Sequence, residues 1–229
     1  MNLDLVFMVF QAIAFLFAIS VHESAHAWQA NRCGDPTAMM LGRITLNPIK
    51  HIDPIGTILM PALAMISGLP LIGWAKPCPV NPRNFKNYVA DDIKVTMAGP
   101  ISNMLVAILA LAGLSLIALT SQFGKDVVLA TLAFEPIDSK HPLVPVALLL
   151  YLTIFVNVIL AVFNCIPVPP LDGSHVVRHF LPEPILRFYD QFGMIGLILL
   201  MFFGGRLVAA LSEPFLATFR EILITFIKL

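Results

Sequence analysis

The sequence predicts an all-α membrane protein, a polytopic helical bundle, and three observations carry that expectation. Of its 229 residues, 58% are hydrophobic and only 12% charged, about half the charge of an average soluble domain. The uncharged residues gather into runs that reach the roughly 20 residues a helix needs to cross a bilayer. Lys plus Arg (14) equals Asp plus Glu (14), so no net field gathers polyanions and a nucleic-acid partner is not expected. A soluble globule is excluded by the same composition.

Taken in order, the first run covers about residues 4–31, where His22, Glu23 and His26 are the only ionisable groups after Asp4. It does not read as a signal peptide, because Asp4 stands where a basic region belongs and the run is too long. The second span, about 95–120, contains no charge. A third, about 144–166, is uncharged and closes at Pro167, Pro169 and Pro170, which cannot continue a helix. The fourth covers about 191–211, interrupted by Arg206 near its end. In the tail, 214–228, Phe215, Leu216, Phe219, Ile222, Leu223, Phe226 and Ile227 repeat at helical spacing opposite Thr218, Arg220, Glu221 and Lys228, which predicts an amphipathic helix. The whole chain, 1–229, reads as one membrane-embedded domain.

Orientation follows from the basic residues, which cytoplasmic loops retain. Arg32, Arg43, Lys50, Lys76, Arg83, Lys86 and Lys94 lie between the first two spans, and Arg178 and Arg187 follow the third. These mark the cytoplasmic face. The apolar run 54–75 must then cross twice or not at all, and it is too short to cross twice as helices. Pro61, Gly68 and Pro70 break it, so a re-entrant segment is expected, tolerable at membrane depth where protein or a polar cavity satisfies the backbone. Residues Met40–Leu46 alternate in part around Arg43 and Thr45, predicting a short β-hairpin near the cytoplasmic face. Cys33, Cys78 and Cys165 lack C-x-x-C spacing and read as packing thiols.

Ionisable side chains at bilayer depth cost roughly 2.5–3.5 kcal/mol each on insertion scales and signal function by default. Here they spell His22-Glu23-Ser24-Ala25-His26. On a helix the i and i+4 imidazoles project from one face at a separation that suits two ligands of one tetrahedral Zn²⁺. Glu23 stands beside them as a general base for water. A third protein ligand is required. Asp172, after the third span, is a candidate because both spans run towards the same face and their ends converge at one depth. His51, Asp53 and His175 are alternatives, and an ordinary Asp-Gly turn also accounts for Asp172-Gly173. Asn103 reads as an interhelical hydrogen-bonder, Gly99 and Ser102 as close-packing residues, and His141 and His179 as loop or interface residues with no evident partner.

Three motifs in this order, the His-Glu-x-x-His helix, Gly99-Pro100-Ile101-Ser102-Asn103 opening the second span, and Asn164 to Gly173 closing the third, resemble the site-2 protease family of membrane zinc metallopeptidases. Gly34-Asp35-Pro36-Thr37-Ala38, Gly42 to Pro48 and Gly73-Trp74-Ala75-Lys76-Pro77 are similar to its small bacterial and archaeal members. The resemblance implies a three-helix catalytic core, one zinc ion per chain with His22, His26 and Asp172 as ligands, Glu23 as general base, and Asn164 helping to hold the substrate or its oxyanion. It also implies a multi-pass protein of a prokaryotic cell membrane, with its site towards the cytoplasmic side and transmembrane proteins as substrates. Members often carry a PDZ domain in the external loop or nucleotide-sensing domains at the C-terminus, for which neither residues 120–141 nor those after Leu211 give room.

A transmembrane substrate must unwind before its peptide bonds are accessible, so Arg43 and Thr45 on the expected hairpin become candidates for pairing with extended substrate. A metal transporter or an inactive helix-binding scaffold are the competing classes. The former wants a path of ligands that the second and fourth spans lack, and the latter leaves Glu23 without a role.

Overall fold

The computed structural model describes residues 3–60, 74–133, 135 and 141–228. Its helices are α1 (Leu3–Cys33), α2 (Thr37–Met40), α3 (Tyr88–Thr120), α4 (Gln122–Ala133), α5 (Leu143–Cys165), α6 (Asp172–Arg178), α7 (Glu183–Phe203) and α8 (Gly205–Lys228). Four of them, α1, α3, α5 and α7, are long and apolar enough to cross a membrane. No strand is present among the described residues.

The centre of the bundle is α1, α3 and α5 packed on one another. Small residues let these backbones approach, as in membrane bundles generally. Ala107, Ala110 and Ala118 of α3 face Ala147, Ile154 and Val158 of α5, while Ala14 and Ala18 of α1 meet Leu152 and Val156. The run 120–141, expected as a loop, contains α4, whose Val127 and Val128 are buried in the same core. Leu223 of α8 joins that core, 1% exposed, so the amphipathic tail packs on the bundle. By contrast, α7 exposes Phe188, Phe192, Ile195, Ile198, Leu199 and Phe202, the surface a lipid-facing helix presents.

The end of the chain is divided differently from the sequence expectation. The fourth span is 183–203 rather than 191–211, and the tail helix starts at Gly205, not 214. Pro184 in the first turn starts α7 early, so Glu183, Arg187 and Asp190 lie on it rather than before it. The break falls at Gly204, whose N–H donates to the Leu200 carbonyl at 2.7 Å. Hydropathy runs unbroken across that turn and cannot locate it. Pro214 lies inside α8.

The expected β-hairpin at Met40–Leu46 is also replaced. Gly42, at φ +65°, closes α2, its N–H donating to the Met39 carbonyl at 2.9 Å while the Arg43 N–H donates to Ala38 at 3.0 Å. This helix-ending turn consumes the donors that a strand would need, and the partial alternation of so few residues does not outweigh it. Of the expected re-entrant segment, Pro54–Leu59 forms a π-helical turn capped by the Asp53 carboxylate. Residues 61–73 lie outside the described residues.

The loops between α1 and α3 are tied down by buried polar anchors. The Asp35 carboxylate accepts from the Asn81 N–H at 2.7 Å, the Asn84 amide at 2.8 Å and the Thr37 hydroxyl. His51, fully buried, donates from Nε2 to the Thr45 carbonyl at 2.8 Å, and its own carbonyl accepts from the Lys76 N–H at 2.9 Å.

Candidate metal centre

On α1, His22 and His26 stand one turn apart with ring centroids 4.6 Å from each other. Each is oriented by α3. The Nδ1–H of His26 donates to the Val95 carbonyl at 2.7 Å, an acceptor that admits only that tautomer. His22 Nδ1 lies 2.6 Å from Asn103 Oδ1. The Asn103 amide nitrogen donates to the Ala18 carbonyl at 3.1 Å and to Asn157 Oδ1 at 2.8 Å, which turns its oxygen to His22 and makes His22 Nδ1 a donor as well. Both Nε2 lone pairs are therefore free to bind a metal.

Asp172 reaches the same point from the other side. After α5 ends at Cys165, the prolines forbid helix until Leu171, and α6 opens at Asp172. Gly173 makes the seat possible, since a Cβ there would lie 2.2 Å from the Cys165 carbonyl oxygen. Asp172 Oδ2 is 3.1 Å from His22 Nε2 and 3.5 Å from His26 Nε2.

Donor chemistry and spacing both fit a divalent ion of the zinc type. Ligand bonds of about 2.0–2.2 Å at tetrahedral angles place donor atoms about 3.3–3.6 Å apart, and the separations of Asp172 Oδ2 from the two imidazole nitrogens, 3.1 and 3.5 Å, lie close to that range. Asp172 Oδ2 is buried without a hydrogen-bond partner, so these atoms converge on a shared point without satisfying one another. Gly99 of α3 faces them. A Cβ at that position would sit 2.5 Å from His26 Nε2 and 2.6 Å from His22 Nε2, filling the space in front of the nitrogens.

A cavity of about 460 Å³ opens beside this cluster, lined among others by Glu23, Trp74, Pro77, Asn164 and Asp172. Glu23 Oε2 is buried, has no hydrogen-bond partner, and lies 3.9 Å from Arg43 Nη2. Arg43, only 5% exposed, also donates to the Lys76 carbonyl, so it stands beside the candidate base rather than on a strand. Thr45 stays in its loop, its hydroxyl accepting from the Asn47 N–H, and is not among the residues lining the cavity. Asn164 lines it, with its amide donating to the Leu160 carbonyl at 3.0 Å.

The alternative third ligands are engaged elsewhere. His51 bonds Thr45, Asp53 caps the Pro54–Leu59 turn, and His175 lies 3.5 Å from Asp92. His179, which showed no partner in the sequence, donates to Asp92 at 2.7 Å. Among the described residues, His22, His26 and Asp172 are the one His/Cys/Asp/Glu group close enough to hold a metal.

A multi-pass helical membrane protein with a His-Glu-x-x-His helix and a convergent aspartate is of the membrane metalloprotease class. The profile of Peptidase family M50 matches residues 10–203, and the chain belongs to this family, the site-2 protease family. It is similar to "Putative zinc metalloprotease YwhC" of Bacillus subtilis, 35% identical over 195 residues that cover 85% of this chain and 79% of the relative. It is also similar to "Putative zinc metalloprotease Rip2" of Mycobacterium tuberculosis, 28% identical over 190 residues, and of Mycolicibacterium smegmatis, 28% over 192. The chain spans 64% of the length of either of these two. No solved structure matches it.

Proposed function

We propose that this chain is a zinc-dependent intramembrane endopeptidase that hydrolyses peptide bonds in or near the transmembrane segments of other membrane proteins. It takes one zinc ion per chain, with His22, His26 and Asp172 as ligands. The observation that carries this is the convergence of those three donor atoms, all within 4.8 Å of one another, on the wall of a cavity shared with Glu23 and built on a helix apolar enough to span a membrane. When bound, zinc supplies Lewis acidity that polarises a peptide carbonyl and eases the ionisation of water.

The chain's own residues do the rest. Glu23 accepts the proton of the attacking water at its unpartnered Oε2 and returns it to the leaving amine. Asn164 turns its amide from the Leu160 carbonyl towards the oxyanion that develops at the scissile carbon. Arg43 sets a positive charge beside Glu23 and, through the Lys76 carbonyl, ties the Trp74–Pro77 loop over the cavity.

A peptide bond inside a helix is shielded by its own turn, so the substrate enters locally unwound, and helix-breaking residues near the scissile bond favour cleavage. The basic residues between α1 and α3 support a site opening to the cytoplasmic side of a prokaryotic cell membrane. Regulated proteolysis or clearance of membrane fragments are the roles such a site serves.

The test is reconstitution of the zinc-loaded chain with a tagged single-span substrate, comparing wild type with Glu23→Gln. Cleavage by wild type that is abolished in Glu23→Gln, with zinc retained, is the expected result. Wild type that cleaves no membrane substrate, or metal transport that survives Glu23→Gln, overturns the protease assignment in favour of a scaffold or a transporter.

A further inference from the structure

One stripe of α3 serves the metal centre. Val95, Gly99 and Asn103 recur at helical spacing on a single face, and each touches a ligand: the Val95 carbonyl orients His26, Gly99 leaves room for both imidazoles, and Asn103 orients His22. Three residues before Val95, on the same stripe, is Asp92. It is 6% exposed, and a carboxylate so placed in a span is costly unless it is paired.

Its partners are on α6 and at its C-cap. Asp92 Oδ2 accepts from His179 Nε2 at 2.7 Å and lies 3.5 Å from His175 Nδ1. His179 is itself held edge-on against Tyr88, with ring centroids 5.6 Å apart. Asp172 and His175 are spaced i, i+3 on one face of α6, and His179, the C-cap in helical conformation, continues that face at i+7. The face that anchors to α3 is the face that offers the carboxylate to His22 and His26.

A helix of seven residues has no stability of its own, so its position is set by what it is fastened to. One fastening is the contact of Gly173 with the end of α5. Another is the Arg178–Asp190 ion pair at 2.9 Å, whose side chains are 36% and 45% exposed and which therefore contributes little. A third, the Asp92 bridge, is buried at both Asp92 and His179.

We infer that Asp92 is a positioning residue for the third metal ligand: by gripping His179 and His175 it fixes α6 against α3 and so sets where Asp172 stands relative to His22 and His26. This rests on the metal-site reading proposed above. It gives each of the three ligands an α3 partner, direct for the histidines and through α6 for the aspartate.

The test measures zinc affinity of the purified full chain in nanodiscs by chelator competition, together with the visible absorption of the Co²⁺-substituted protein. Asp92→Asn and Asp92→Ala are expected to weaken zinc about 10–100-fold, the range for groups that orient ligands, and to alter the Co²⁺ spectrum. Asp92→Glu, which keeps the charge, recovers part of the loss. Asp190→Ala, which breaks the exposed bridge of the same short helix, leaves affinity within about twofold. A combined Asp92→Ala/His179→Ala protein loses no more than the worse single variant, because both remove one contact.

Asp92→Asn with wild-type affinity and spectrum overturns the inference, as does an equal loss in Asp190→Ala. If the Asp92 variants do not fold, His179→Leu, which has no donor, reads the same contact from its other end, and wild-type affinity there overturns it equally. Wild type that binds no zinc overturns the metal reading itself and this inference with it.

Discussion

Replacing Asn103 separates the two tasks that its side chain performs. Asn103 is fully buried and joins all three core helices: its oxygen takes the His22 Nδ1–H at 2.6 Å, and its nitrogen gives to Ala18 on α1 and to Asn157 on α5. Leucine of similar volume removes every one of these bonds. The Ala18 carbonyl keeps its helical N–H partner, so the bonds whose loss matters are those to His22 and Asn157. Interhelical hydrogen bonds in membrane proteins average about 0.6 kcal/mol and reach about 1.7. Two of them predict a loss of about 1–3 kcal/mol in the metal-free protein. Releasing the His22 tautomer costs a further 10–100-fold in zinc affinity, or about 1.4–2.7 kcal/mol. Asn103→Asp keeps the acceptor for His22 and loses only the donors, so it is expected to be destabilised yet to bind zinc within about threefold of wild type. Thermal unfolding of the metal-free proteins and chelator competition read the two quantities separately. Asn103→Leu with wild-type zinc affinity, or Asn103→Asp losing as much affinity as Asn103→Leu, refutes the orienting role.

Gly99→Ala is expected to abolish stoichiometric zinc binding, because its Cβ would stand 2.5 Å from His26 Nε2 and 2.6 Å from His22 Nε2, and a ring that shifts to make room leaves its bond to Val95 or Asn103; metal content after purification checks this, and a full complement of zinc refutes the close approach. Burial, opposed by the Thr45 carbonyl and reinforced by the Arg43 charge, holds the His51 ring below its ordinary range. A depressed folded-state value means that its contribution to stability is complete above about pH 6.5 and is lost as pH falls towards the folded value; unfolding temperatures measured between pH 7.5 and 5 should fall more steeply in wild type than in His51→Gln. Removing zinc with a chelator should lower the unfolding temperature, since ligand at 100 times its dissociation constant adds about 2.7 kcal/mol, worth roughly 5–10 °C at this chain length, and Glu23→Gln should show the same shift as wild type.

What was legible in the sequence was whatever one helix or one boundary encodes. His22, Glu23 and His26 share a turn of α1, so helical periodicity alone put the two imidazoles on one face. Asp172 was legible as a candidate because the prolines after Cys165 end α5 and both spans read as running towards one face, although Asp172 meets His22 and His26 well before α1 ends at Cys33. The partners of these residues were not. Nothing local joins Asp92 to His179, 87 positions away, or Asn103 to Asn157; each looks like an isolated polar residue until the helices are packed. Gly99 read as a packing glycine, and it is one, but what it packs against is the ligand pair. The hairpin at Met40–Leu46 failed for the converse reason, a weak alternation taken at face value although Gly42 could close a helix.

These distant pairs share a geometry that bears on how the site holds together. The orienting contacts run from α3 to α1 at His22 and His26, from α3 to the C-cap of α6 at His179, and from α3 to α5 at Asn157. Because α3 contacts every ligand-bearing element, the ligand geometry is a function of how α1, α5 and α6 are docked on one helix. Pro100 lies within that stretch of α3 and withdraws a donor from its hydrogen-bond ladder, a loss that local backbone adjustment must absorb beside Gly99. A buried network in which every member is satisfied specifies one packing far more sharply than apolar contacts between alanines and leucines, which tolerate small rotations. Apolar packing therefore brings the three core helices together, and the polar stripe of α3 selects, among the packings they allow, the one in which three donor atoms meet.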